Sequence, residues 1–173
     1  MKYIHPKDVK RWGVDIGNVL VENFNIKITD PSQVTWENVK GNGRLVPGAI
    51  EGLKLLIDKV GAENVWIVSK VSPIQQMVSE LVLKELQVCE RTGMRPEQIR
   101  FCLERKDKAP IIKELQLEGH IDDRGEVIDS LQNFLPCPIW FAPSQKDMLE
   151  WDDYISQKVL MVFGWAGIIA MVE

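Results

Sequence analysis

Short apolar runs alternate along this chain with segments of helical period. WGVDI (12–16) reads as a buried strand. A polar stretch over 22–45 has no clear period. Pro47 then opens an amphipathic helix with Ile50, Leu53, Leu56, Ile57 and Val60 on one face, and Gly61 stops it. NVWIVS (64–69) is a second strand. Ser72 is placed to cap the next helix, with Pro73 its first residue, and that helix runs to about Arg91. IRFC (99–102) is a third strand, after which Asp107 is placed to cap a helix through Ile111, Ile112 and Leu115. HID (120–122) is a short fourth strand, followed by a helix over about 126–134. PIWFA (138–142) is a fifth, 146–155 a helix, and VLMVF (159–163) a last edge strand before a short helix.

This alternation predicts an α/β fold, a three-layer Rossmann-like parallel sheet with right-handed crossovers. The connections are short, so 1–173 reads as a single domain without linker or internal repeat. Only 22–45 is long enough to be a functional loop, and its Trp36 is the local candidate for substrate contact. In such sheets ligands bind at the carboxyl ends of the strands, near a switch in strand order.

Composition narrows the reading. A chain of 173 residues can bury a sizeable core, and 45% apolar with 27% charged residues is ordinary for a globular protein. A net charge of -4 argues against broad nucleic-acid binding, which needs clustered Lys and Arg. Cys89, Cys102 and Cys137 are odd in number and widely spaced. They predict buried thiols in a reducing, cytoplasmic compartment rather than a disulfide framework. MKYIHPKDVKRW lacks the apolar core of a signal. The apolar run at the C-terminus is broken by Gly164 and Gly167 and is too short to span a bilayer, so no membrane contact is expected. It either completes the sheet or serves a dimer contact. Trp66, Trp140 and Trp165 are expected in the core. His5 and His120 are expected to be structural, with His120 pointing away from Asp122 and Asp123.

The predicted strand ends carry the chemistry. Strand one ends at Asp15, strand two at Ser69 and Lys70. A basic segment, Arg105, Lys106 and Lys108, follows strand three, and strand four ends in Asp122 and Asp123. On adjacent strands these groups converge. Clustered carboxylates repel unless a cation neutralises them, and a hard divalent ion with oxygen ligands, Mg²⁺ above all, fits. A hydroxyl and an ammonium beside it suit a phosphoryl group. Plainer roles stand beside these: Asp122–Asp123 as a helix-capping pair, Lys108 as a solvated helix residue with Lys106 as its rival.

The four segments in order resemble the motifs of the haloacid dehalogenase-like hydrolase superfamily. DIGNVL (15–20) is similar to its first motif, IVS ending at Ser69 to the second, Lys108 in RKDKAPII to the third, and HIDDRGEVI (120–128) to the fourth. VPGAIEGLKLL also resembles the helix that follows its first loop. The resemblance covers about 11–142. It implies a phosphomonoester hydrolase in which Asp15 attacks phosphorus and forms an aspartyl-phosphate. It also implies Mg²⁺ bound by Asp15, the Gly17 backbone carbonyl and Asp123, with Asp122 as a further ligand or a partner behind the ligands. Ser69 would hydrogen-bond the phosphoryl oxygens, and Lys108 would pair with Asp15 and the phosphoryl group.

Two departures from the family pattern matter. Phosphatases of the group usually carry an acid two residues after the nucleophile, and here that place is Gly17, which cannot transfer a proton. Glu22 or a metal-bound water is left to supply it, or the substrates leave easily. The alternative is a catalytically weak relative that binds a phosphorylated ligand or a protein partner. Carbon–halogen hydrolysis is a further reading, but it accounts for neither Mg²⁺ nor the Asp122–Asp123 pair. The second departure is the short intervals between motifs, which leave no room for a cap. An open site would suit a phosphorylated small molecule, a nucleotide, a phosphoprotein or a nucleic-acid end.

Overall fold

The computed structural model describes residues 3–22 and 26–173. Six strands form one all-parallel sheet: β1 (Trp12–Val14), β2 (Val65–Lys70), β3 (Ile99–Cys102), β4 (Gly119–Asp122), β5 (Cys137–Phe141) and β6 (Leu160–Val162). Their spatial order is β3-β2-β1-β4-β5-β6. The order reverses at β1, between β2 and β4, so the crevice expected at a switch point opens above Val14, which pairs with both Ile67 and Ile121.

The helices are α1 (Trp36–Val39), α2 (Ala49–Val60), α3 (Pro73–Glu85), α4 (Val88–Thr92), α5 (Lys108–Glu114), α6 (Gly125–Leu131), α7 (Gln145–Trp151) and α8 (Trp165–Val172). Leu53 and Leu56 of α2, Val78 and Val82 of α3 and Ile168 of α8 share one buried cluster with the sheet. Ile112 of α5 with Val127 and Leu131 of α6 belong to a second cluster, which includes Val68 of β2. The result is the expected three layers. The C-terminal run completes the sheet: β6 pairs with β5, and α8 packs on α2. Trp165 Nε1 donates to the Val19 carbonyl at 2.7 Å, tying α8 to the loop after β1.

Several boundaries differ from the sequence reading, each for a local reason. β1 stops at Val14, and Asp15 continues the ladder only through its N–H to the Ile121 carbonyl. The helix expected over 73–91 is two helices, because Gln87 takes a left-handed backbone (φ 54°) between α3 and α4. Asp107 does not cap α5. Its carboxylate accepts the Glu104 N–H and closes the 3₁₀ turn Arg105–Asp107 instead. The stretch 22–45 holds a 3₁₀ turn, Pro31–Gln33, and α1, while its residues 23–25 lie outside the described residues. Trp36 is partly exposed there.

Trp140 and Trp165 are fully buried, as expected. Trp66 is only half-buried, packed against the edge of the second cluster's buried residues rather than counted among them. Cys102 and Cys137 are buried thiols, but Cys89, on the short α4, is only half-buried; all three are free. Among the described residues no helix is long and apolar enough to cross a membrane.

Candidate active site

The first loop is built to turn back at once. Leu20 and Val21 N–H groups both donate to the Ile16 carbonyl, and Asn18 N–H to the Val21 carbonyl. Asn18 takes a left-handed backbone (φ 56°), which Asn tolerates better than most residues. This turn leaves Asp15 and Gly17 facing a cleft of about 300 Å³. The cleft is lined from β2–α3 by Ser69, Lys70 and Gln75, and from the other side by Arg105, Lys108, Asp123 and Arg124. The strand-end residues that the sequence singled out for phosphoryl and metal chemistry therefore meet at one place. Lys106 does not line the cleft, while Lys108, its rival, does.

Lys108 organises the centre. Its side chain is 2% exposed, and Nζ lies 2.8 Å from Asp15 Oδ1 and 2.6 Å from Asp122 Oδ2. Burial alone would lower its pKa; the charges of Asp122 and Asp15 outweigh burial and hold it above the ordinary lysine value. Burial also works against the charged form of Asp122. The Lys108 ammonium and a hydrogen bond from His120 overcome it and keep the Asp122 carboxyl well below the usual carboxylate range.

His120 is where the sequence reading needs correction. It does not point away from the acidic pair: Nε2 lies 3.1 Å from Asp122 Oδ2, and both side chains are fully buried. Residues two apart on a strand share a face, and here that face carries both. The ionised carboxylate only accepts, so Nε2 is the donor. The Arg124 N–H donates to Asp122 Oδ1 at 3.1 Å, so both Asp122 oxygens are engaged.

Asp123 is held differently. Asn18 Nδ2 donates to Oδ2 at 2.9 Å, Arg124 Nε lies at 3.5 Å, and its backbone carbonyl accepts Trp140 Nε1 at 3.2 Å. Burial pushes its carboxyl up to about 6. The neighbouring Asp122 and Asp15 charges add to that, while Asn18 and Arg124 oppose it. One ligand oxygen each from Asp15, Asp122 and Asp123 lies within 4.8 Å of the others, an acidic cluster that could hold a metal ion. Glu22 is exposed and does not line the cleft.

The sequence reading missed Asn18 and the contact of His120. The first has a usable signal, an Asn in a tight turn beside a Gly. The second follows from strand alternation once the strand is known to begin at Gly119 and to run through Asp122.

No known family model matches the chain, and no curated protein does. Solved structures do. A D,D-heptose 1,7-bisphosphate phosphatase from B. bronchiseptica, complexed with magnesium and phosphate, superposes with a TM-score of 0.62 at 8% identity, covering 92% of this chain and 96% of that one. The enzyme of the same name from Burkholderia Thailandensis gives 0.62 at 11% identity, covering 95% and 99%. The chain thus has the fold of these phosphatases, the haloacid dehalogenase-like fold that its four motifs resemble.

Proposed function

We propose that this protein is a Mg²⁺-dependent phosphomonoester hydrolase that works through an aspartyl-phosphate on Asp15. The observation that carries the reading is the Lys108 ammonium clamped between Asp15 and Asp122, beside a third buried carboxylate, at the sheet's switch point.

The residues fit a hard divalent cation. Asp15 and Asp122 share the buried Lys108 ammonium, while the third buried carboxylate, Asp123, meets the partly exposed Arg124 guanidinium and its carboxyl is still pushed up by burial. Asp15, Asp123 and the Gly17 carbonyl would hold Mg²⁺, which offsets charge on the phosphoryl oxygens when bound. The three hydrogen bonds already on Asp122 support a positioning role for it rather than direct ligation. The neighbour solved with magnesium and phosphate supports the same assignment.

This chain's own residues would then act as follows. Lys108 holds the Asp15 carboxylate in place and meets the incoming phosphoryl group, offsetting charge that builds at phosphorus. Ser69, buried at the end of β2, presents its hydroxyl to the phosphoryl oxygens. Asp15 attacks phosphorus, and water later cleaves the aspartyl-phosphate. The site reads as capless, with the first loop filled by α1 and the Ser69–Lys108 interval by α3, α4 and β3. Three free thiols support a reducing, cytoplasmic setting.

A second reading, a weak catalyst that binds a phosphorylated ligand or a protein, is favoured by Gly17 alone. Hydrolysis of p-nitrophenyl phosphate separates the two. The hydrolase reading expects Mg²⁺-dependent release of nitrophenol that chelator and Asp15→Asn both abolish. Folded protein without turnover favours the binding reading.

A further inference from the structure

The cleft holds every group needed to receive a phosphoryl group and none suited to protonate what leaves. Among the described residues its carboxylates are Asp15 and Asp123 alone, and no His lines it. Asp15 is the nucleophile of the reading above, and Asp123 belongs to the acidic cluster with Asn18 fixed on it. His120 sits behind Asp122, fully buried, away from the cleft lining. Lys108 spends its ammonium on two carboxylates. Residues 23–25, outside the described set, are Asn, Phe and Asn, which are neither acids nor bases.

What the cleft offers in place of an acid is positive charge. Lys70, the exposed last residue of β2, lines it and has no partner for its ammonium among the described residues. Arg105 lines it too, in an ion pair with Glu126 that is half-exposed on both sides and therefore weak. Both cations can hold a departing anion.

We propose that this site takes phosphoric anhydrides, either acyl phosphates (P–O–C=O) or pyrophosphate-type donors (P–O–P), whose leaving group departs as a stable anion and needs no proton. The proposal rests on the aspartyl-phosphate chemistry of the reading above and moves the preferred substrates from phosphomonoesters to anhydrides. In the first step an Asp15 oxygen bonds to phosphorus. The bond from phosphorus to the bridging oxygen breaks, and its electron pair leaves on a carboxylate or phosphate. In the second step a water oxygen bonds to phosphorus and the Asp15–phosphorus bond breaks, restoring the carboxylate. Both water protons leave with the phosphate, one of them ionising to solvent.

The test is the dependence of kcat/KM on leaving-group basicity. Acetyl phosphate, pyrophosphate, p-nitrophenyl phosphate, phenyl phosphate and glycerol 2-phosphate are compared with Mg²⁺, in wild type and Gly17→Asp. Wild type is expected to fall steeply along the ester series, with glycerol 2-phosphate slowest, and Gly17→Asp is expected to narrow the gap between glycerol 2-phosphate and acetyl phosphate by about 10²-fold or more. The acetyl phosphate and pyrophosphate arms decide between the two kinds of anhydride. A wild-type rate that is level across the series overturns the proposal, whether or not Gly17→Asp folds. So does a steep series that folded Gly17→Asp leaves unchanged. Asp15-dependent release from the esters at a level rate sinks this proposal but leaves the phosphatase reading standing; no Asp15-dependent release from any substrate sinks both.

Discussion

Lys108 Nζ lies 2.6 Å from Asp122 Oδ2, and both side chains are sealed from water. A charge pair in that setting is expensive to break by halves, because the surviving partner stays buried and uncompensated. Lys108→Met keeps roughly the volume of the side chain but strands Asp122 and Asp15. It is expected to cost about 3–5 kcal/mol in urea unfolding. A cost within experimental error would mean that the carboxylates are not ionised in the native state.

The same Asp122 oxygen receives His120. Removing that donor frees the carboxylate to swing and loosens Lys108 with it. His120→Ala is expected to lower kcat for p-nitrophenyl phosphate by about 10- to 100-fold, with KM little changed and His120→Asn recovering part of the loss. Gly13 on β1 supplies a second route to the same defect, because a Cβ there would strike the His120 ring. Gly13→Ala should therefore reproduce the kcat loss.

Asp123 gives a pH signature in metal-free protein. Its folded-state pKa of about 6 lies above the ordinary carboxylate value of about 3.9. Between those values the unfolded chain has lost the proton and the folded one keeps it. This group's contribution to stability therefore falls as pH rises from about 4 to about 6 and is level above. The difference between wild type and Asp123→Asn isolates it from other titrating groups. The variant is expected to be the more stable above pH 6 by on the order of 3 kcal/mol, less whatever the Asn18 hydrogen bond contributes. Adding Mg²⁺ should raise the Tm of wild type and leave that of Asp123→Asn unmoved. A difference that does not vary with pH would contradict the account.

Gly52 on α2 faces the Trp165 ring of α8, and a Cβ there would overlap it. Gly52→Ala is a good helix substitution on propensity alone. Here it is expected to destabilise by about 1–3 kcal/mol through overpacking, measured by thermal or urea unfolding. A stabilised Gly52→Ala protein would mean that α8 is not seated on α2.

Much of this was legible in the chain. The apolar runs gave all six strands within a residue or two, because buried parallel strands are continuous apolar segments bounded by turn residues. Asp15, Ser69, Lys108, Asp122 and Asp123 stood out because carboxylates, a hydroxyl and an ammonium followed runs that should otherwise have stayed apolar. What escaped was decided by contacts across the fold. Nothing local in KELQVCE announces the left-handed Gln87 that divides α3 from α4. Asp107 has the composition of a helix cap, yet a 3₁₀ turn takes its carboxylate first. His120 looked like a core residue and is one, but its side-chain contact with Asp122 depends on which face of β4 meets the cleft.

The central claim is that Asp15 carries the phosphoryl group, and one measurement addresses it directly. The protein is mixed with acetyl phosphate and Mg²⁺, quenched in acid within the first turnovers, digested, and analysed by mass spectrometry. The account predicts one phosphoryl group on the peptide containing Asp15, absent with chelator and absent in Asp15→Asn. Steady phosphate release that persists in Asp15→Asn, with no adduct on that peptide in wild type, would contradict it.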